Sequence, residues 1–122
     1  MGASQRRKGH NFEREIARAM RVIFPTARRQ VQTSIYDKRK LPDVIAGPYS
    51  IECKCCKRVN VPAALRQAVE EATTHTPVVV FKQDREEIYA ALPFKAFCSL
   101  LEHVYGRHEL SSLSDTPELP EE

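Results

Sequence analysis

No stretch of this chain approaches the roughly 18 uninterrupted apolar residues that a membrane-spanning helix requires. The N-terminal segment, residues 1–8, is not followed by an apolar run of the signal-peptide type. The two absences lead us to expect neither a membrane protein nor an exported one.

The cysteines are few and badly placed for cross-linking. Three of the four, Cys53, Cys55 and Cys56, fall in one short segment, and Cys98 is distant from them in sequence. Neighbours on a strand cannot pair into a disulfide framework, because a disulfide needs a specific geometry. Cysteine usage therefore indicates reduced thiols in a cytosol.

The length of 122 residues is enough for one hydrophobic core and too short for two. A hydrophobic content of 42% with 29% charged residues is typical of a globular protein. Residues 108–122 contain five acidic residues and no Lys or Arg, which is the composition of a disordered acidic tail. We predict one domain over residues 1–107, followed by that tail.

Positive charge is concentrated in the first half of the chain. Residues 1–58 contain 14 Lys and Arg against 5 Asp and Glu, although the whole chain has a net charge of only +3. Such an excess is expected of a surface that approaches phosphates, so nucleic acid is the leading class of partner. The alternative is that these side chains only solvate helix faces.

Apolar spacing and turn signals predict the element order α-β-β-β-α-β-β-α, an α/β fold with one mixed sheet flanked by helices. The predicted elements are a helix from Phe12 that ends before Pro25, a strand within residues 27–33, strands at 43–46 and 49–56 joined by Gly47-Pro48, a helix capped by Asn60, strands at 78–81 and 87–92, and a helix from Pro93 to about Tyr105.

Two apolar stripes are expected to reach the core from the later helices. Leu65, Ala68, Val69 and Ala72 have helical spacing in the second helix. The last helix is expected to bury Phe94, Phe97, Cys98, Leu101 and Val104.

The strands on either side of Gly47-Pro48 bring two acids together. A hairpin loop of two or four residues would place Asp43 opposite Glu52, with both side chains on the same face of the sheet. A loop of three or five residues would break this register. Two opposed carboxylates repel each other unless a cation compensates them, and carboxylate oxygens are ligands that Mg²⁺ prefers.

Two further residues complete the candidate site. Lys54 is two residues beyond Glu52 and therefore lies on the same strand face, where it can offset charge or help to activate a water. Glu13 is on the apolar side of the first helix, since Ile16, Ala17 and Met20 follow it at helical spacing. Three acids and a lysine match the needs of metal-assisted phosphodiester hydrolysis.

These residues resemble a known signature. Leu41-Pro42-Asp43 followed by Ile51-Glu52-Cys53-Lys54 resembles the motif of the PD-(D/E)xK nucleases, and residues 7–15 resemble, more narrowly, the opening of archaeal-type Holliday junction resolvases. The resemblance covers residues 6 to about 100 and implies a restriction-endonuclease-like core.

The same resemblance implies roles for individual residues. Glu13, Asp43 and Glu52 would bind Mg²⁺, or Mn²⁺ in its place, with the backbone carbonyl of Cys53 as a further ligand, and Lys54 would assist the attacking water. It also implies a homodimer that cuts four-way DNA junctions. A compact cytoplasmic enzyme of a prokaryote or of a phage-infected cell suits this description.

Other basic and polar residues are candidates for contact with DNA. Gln67, on the second helix, either supports the site or is merely solvated. The remaining candidates are Arg6, Arg7, Lys8, Arg29, Lys38, Arg39 and Lys40.

Three alternatives to a junction resolvase stay open. The chain could be a less selective DNA nuclease, or a DNA-binding module without catalysis. The third alternative is a zinc-dependent adaptor that uses the cysteines of residues 53–56 with His75, although alternate strand residues point to opposite faces and so fit poorly with four converging ligands.

Overall fold

The computed structural model describes residues 2–31 and 41–106. The elements are α1 (Ala3–Met20), β1 (Arg28–Arg29), β2 (Val44–Ala46), β3 (Tyr49–Cys55), α2 (Val61–Ala72), β4 (Thr76–Lys82), β5 (Ile88–Ala91) and α3 (Phe94–Tyr105). The predicted α/β class and element order are confirmed. The candidate DNA contacts Lys38, Arg39 and Lys40 and the predicted tail at 108–122 lie outside the described residues.

The five strands form one mixed sheet in the order β1-β2-β3-β4-β5. Strands β3 and β4 are parallel, and the other neighbouring pairs are antiparallel. Parallel neighbours need a crossover connection, and α2 supplies it between β3 and β4. The centre of the sheet is therefore a β-α-β unit.

The β2–β3 hairpin has the register that the sequence predicted. Val44 pairs with Ile51 and Ala46 pairs with Tyr49, so the loop is the two residues Gly47 and Pro48. Gly47 has a φ of +54°, which glycine adopts at little cost. A side chain there would also collide with the ring of Phe24. The turn thus requires glycine for its backbone conformation and for its packing.

Helix α1 covers one face of the sheet. Phe12, Ile16 and Ala17 are buried and form a cluster with residues of β2, β3 and β4. From β3 the cluster includes Ile51 and, packed at its edge, Cys53. Because side chains alternate along a strand, Glu52 and Lys54 are directed to the opposite face.

Helix α2 covers that opposite face. Asn60 caps its first turn by accepting a hydrogen bond of 3.1 Å from the backbone N–H of Ala63. Ala64 and Ala68 are buried with Val79 of β4. The predicted stripe was wrong at Val69, which is 53% exposed. Small alanines face the sheet instead and allow the helix to lie close to it.

Helix α1 begins nine residues earlier than predicted. Apolar periodicity starts at Phe12 because Phe12 is the first buried residue of the helix, whereas the turns before it are largely exposed. These turns are rich in Arg, Lys and Gln, which are good helix formers. Arg6, Arg7 and Lys8 are consequently exposed positions on a helix.

Helix α3 has its predicted position, but the predicted burial of its apolar stripe was wrong. Phe94 is 77% exposed, and Phe97, Leu101 and Val104 are exposed as well. On another side of the helix, Ala96 and Leu100 line a cavity together with Tyr49 and Thr76 of the sheet. An apolar face therefore remains open to solvent. No helix within the described residues combines the length and apolar character of a membrane span.

Candidate active site

Two carboxylates meet where β2 begins and β3 is at its midpoint. The hairpin register, continued by one residue, places Asp43 opposite Glu52, and the backbone N–H of Asp43 donates a 3.0 Å hydrogen bond to the carbonyl of Ile51. The Oδ2 atom of Asp43 accepts a 2.8 Å hydrogen bond from the backbone N–H of Cys53. This bond holds the Asp43 carboxylate across the strand next to Glu52.

Glu52 is the most deeply buried acid of this group. It is 3% exposed, and its Oε2 atom has no hydrogen-bond partner within the described residues. Burial raises the pKa of Glu52, and the adjacent carboxyl groups of Asp43 and Glu71 raise that pKa further. A buried carboxylate oxygen without a donor is costly, so this position favours either a bound proton or a compensating positive charge.

Lys54 lies beside Glu52 on the same face of β3 and is fixed from α2. Its Nζ atom donates a 2.9 Å hydrogen bond to Oε1 of Gln67. The sequence left open whether Gln67 supports the site or is solvated, and the structure places it against Lys54. Gln67 restricts the ammonium group to one side of the strand.

Glu13 is largely buried on α1, the helix that covers the other face of the sheet from Glu52, as its place on the apolar side of that helix predicted. Its side chain is 16% exposed, and its Oε1 atom accepts hydrogen bonds from Nε and an Nη of Arg29 at 3.3 and 3.2 Å. Burial and the nearby Asp43 raise the pKa of Glu13, while the bond from Arg29 lowers it. Arg29, a candidate DNA contact by sequence, is thus bonded to a candidate ligand.

Cys53 takes part in the candidate site through its backbone N–H group and not through its thiol. The N–H holds Asp43, while the thiol packs on the α1 side of the sheet. Burial raises the pKa of that thiol, and the acids Asp43, Glu13 and Glu52 raise the pKa further. The Cys53 thiol is therefore held in its neutral form, and the residue takes part in the site through its N–H group.

No prediction from the sequence covered Glu71, whose carboxyl group is close enough to Glu52 to raise the pKa of Glu52. Its Oε1 atom is buried and has no partner within the described residues. The available signal was the helical spacing, because Glu71 is one turn after Gln67 on the same side of α2. Its approach to the strand depends on how closely α2 packs on the sheet, which spacing alone does not give.

Basic side chains gather where β3 and β4 end. A cavity of about 440 Å³ there is lined by Lys57, Arg58 and Arg85 together with three polar or acidic residues. A neighbouring cavity of about 430 Å³ includes Arg7 and Lys8 from the first turns of α1. The Nζ atom of Lys8 also contacts Oδ1 of Asp84 at 3.4 Å. Positive charge therefore borders the strand that carries Glu52 and Lys54.

Across residues 2–31 and 41–106, no three His, Cys, Asp or Glu side chains converge on one point as the ligands of a metal ion do. The acids are held by other partners: Glu13 by Arg29 and Asp43 by the Cys53 N–H. Comparison with protein-family models, with curated proteins and with solved structures found no match to this chain.

Proposed function

We propose that this protein is a metal-dependent DNA endonuclease with a restriction-endonuclease-like core, and that it cuts four-way junctions as a homodimer. The observation that carries the proposal is the opposed pair Asp43 and Glu52, with Lys54 two residues further along the same strand face. The resemblance of residues 41–54 to the PD-(D/E)xK motif supports the same conclusion.

The donor chemistry of the acids present suits a divalent cation, although no three of these side chains converge on one point within the described residues. Glu52 has a buried oxygen without a partner among the described residues, Asp43 is opposite it across the hairpin, and Glu13 is a third acid that is close enough to Asp43 for their charges to interact. Hard oxygen donors of this kind suit Mg²⁺ or Mn²⁺. Glu13, Asp43, Glu52 and the backbone carbonyl of Cys53 would hold the ion. When bound, it would offset charge on the phosphate and lower the pKa of a water.

The side chains around these acids have supporting tasks. Lys54 has three N–H donors, of which one is used by Gln67, and we assign the others to the attacking water and a phosphate oxygen. Arg29 sets the orientation of Glu13. Asp43 is aligned by the Cys53 N–H, which fixes its carboxylate before any substrate binds.

The substrate class follows from charge and position. Basic residues border the C-terminal end of β3, so a phosphate backbone is attracted to the same end of the sheet as the acids. Phosphate contacts of this kind position a duplex without specifying its sequence. Selection of a branched structure would then come from the arrangement of two sites in a dimer.

A second copy of the chain is the partner we assign to the exposed apolar face of α3. Phe94, Phe97, Leu101 and Val104 form an uncovered stripe, and Tyr89 of the edge strand β5 is exposed as well. Large contiguous apolar surfaces on a soluble domain mark interaction sites. A twofold interface would supply the two active sites that paired nicks require.

Cleavage of a labelled four-way junction tests the proposal, with linear duplex and single-stranded DNA as controls, in Mg²⁺ and in EDTA. Paired nicks on the junction alone, absent in EDTA and in Glu52→Gln, are expected. The Gln variant keeps the shape of Glu52 and removes its charge. Equal cutting of all substrates would indicate a less selective nuclease, and binding without cutting would indicate a DNA-binding module.

A further inference from the structure

The face of α2 that covers Glu52 packs on the sheet and also carries polar side chains that reach the site residues of β3. Helix α2 returns from the end of β3 to the start of β4, so it runs opposite in direction to β3. Its later residues therefore lie over earlier residues of the strand. Gln67 contacts Lys54, which fixes the alignment of the helix with the strand.

Starting from that contact, the rise per residue of a helix and of a strand gives the position of the next turn of α2 relative to β3. Glu71 is four residues after Gln67, about 6 Å along the helix axis. Glu52 is two residues before Lys54, between 6 and 7 Å along the strand at about 3.3 Å per residue. The distance along the helix matches the distance along the strand. Glu71 is therefore positioned over Glu52, just as Gln67 is positioned over Lys54. The carboxyl groups of Glu71 and Glu52 are accordingly neighbours.

Both carboxyl groups have an oxygen that lacks a partner. The Oε2 atom of Glu52 and the Oε1 atom of Glu71 are each buried without a hydrogen bond to any described residue. Glu52 itself is 97% removed from solvent, given its exposure of 3%. Two neighbouring acids, each with a buried oxygen that lacks a partner among the described residues, are a costly arrangement in the absence of a cation.

We propose that Glu71 is a fourth carboxylate of the cation site, supplied from α2. The hairpin and α2 would then both supply acids that could hold the ion. This inference rests on the proposed function, because it assigns a further residue to the same divalent cation. It extends the site across the layer between the sheet and α2.

Binding of Mn²⁺ to the DNA-free protein, measured by calorimetry, tests the inference without any cleavage assay. We expect Glu71→Gln to bind Mn²⁺ at least about tenfold more weakly than the wild type, because even the loss of a group that only orients a metal ligand typically weakens metal binding by about 10- to 100-fold. Glu70→Gln is the matched control, because it removes the same charge from an exposed position one residue away. It should bind Mn²⁺ as the wild type does.

The thermal transition provides a second readout that separates a ligand from a structural role. Addition of Mn²⁺ should raise the Tm of the wild type and of Glu70→Gln, and should raise that of Glu71→Gln much less. A purely structural glutamate would change the Tm in EDTA and leave the Mn²⁺-dependent gain intact. Should Glu71→Gln fail to fold, Glu71→Asp retains the charge on a shorter side chain and is expected to bind Mn²⁺ more weakly.

The outcomes distinguish this inference from the proposed function. Unchanged Mn²⁺ affinity in Glu71→Gln, or an equal loss in both variants, would overturn the role of Glu71. If the wild type binds Mn²⁺ and Glu52→Gln does not, the proposed metal site stands whether or not Glu71 contributes to it. A wild type that binds no Mn²⁺ would overturn the metal site itself, and the role of Glu71 with it.

Discussion

The ammonium group of Lys54 and the side-chain amide of Gln67 are joined by a hydrogen bond of 2.9 Å across the space between β3 and α2. This bond ties the orientation of the proposed catalytic lysine to the helix that crosses over it. Lysine is otherwise a flexible side chain with four rotatable bonds in its stem, so an external acceptor is needed to hold its charge in one place.

Replacement of Gln67 by Leu should therefore slow cleavage more than it weakens binding. We expect kcat to fall about 10- to 100-fold, the range typical for residues that orient a catalytic group, with KM for DNA changed little. The Gln67→Glu variant keeps an acceptor oxygen for Lys54 and should therefore retain most of the wild-type kcat. Steady-state kinetics on the preferred DNA substrate would check both variants. A rise in KM of the same size, with kcat unchanged, would indicate instead that Gln67 contacts DNA.

The pair formed by Arg29 and Glu13 predicts a coupled effect on stability. Both side chains are largely buried, so Arg29→Met leaves the Glu13 carboxylate without its donor. We expect the free energy of unfolding to fall by about 1–3 kcal/mol. Glu13→Gln combined with Arg29→Met should lose less than the sum of the single losses, because the unpaired charge is gone. Urea denaturation of the four proteins measures this; additive losses would mean the pair has no coupling energy.

A third prediction concerns Gly47, in the turn of the hairpin that brings Asp43 to Glu52, and the effect of its replacement on stability. Gly47→Ala places a methyl group against the ring of Phe24 at a positive φ. The expected cost is about 1–3 kcal/mol of unfolding free energy. Gly9→Ala is the matched control, since Gly9 is inside α1 with open space around it. That change should stabilise the protein by about 0.5–1 kcal/mol. Losses of similar size in both would contradict the explanation.

The part of the site that the sequence predicted depends on short-range geometry. The register of Asp43 against Glu52 follows from a two-residue loop, and the place of Lys54 follows from strand alternation. Glu13 followed from helical periodicity. Each of these relationships is fixed by local backbone geometry within one hairpin or one helix, so no knowledge of how the layers pack was needed.

The contacts that the sequence did not predict lie between layers. Glu71 reaches Glu52 because the alanines of α2 allow the helix to lie close to the sheet. Arg29 reaches Glu13 because β1 lies beside α1. On α3, the apolar spacing identified the apolar side correctly but said nothing about which surface would cover it, and Phe97 and Leu101 are exposed. Periodicity predicts a face, whereas burial depends on what the rest of the fold places against it.

The exposed stripe of α3 leads to the last prediction, which concerns assembly. If a second copy covers this stripe, the wild type should elute with twice the mass of one chain in size-exclusion chromatography with light scattering. Leu101→Lys places a charge in the middle of the stripe and should give a monomer, because an unpaired charge at the centre of an apolar interface is not tolerated.

Glu102→Lys is the control for that experiment, as it adds a positive charge at an exposed position next to Leu101 on the same helix. It should remain a dimer. A monomeric wild type would contradict the assignment of α3 to self-association. The monomeric Leu101→Lys variant also separates chemistry from substrate choice. If it still nicks DNA but no longer makes paired nicks on a junction, hydrolysis belongs to the single chain, and junction specificity belongs to the dimer.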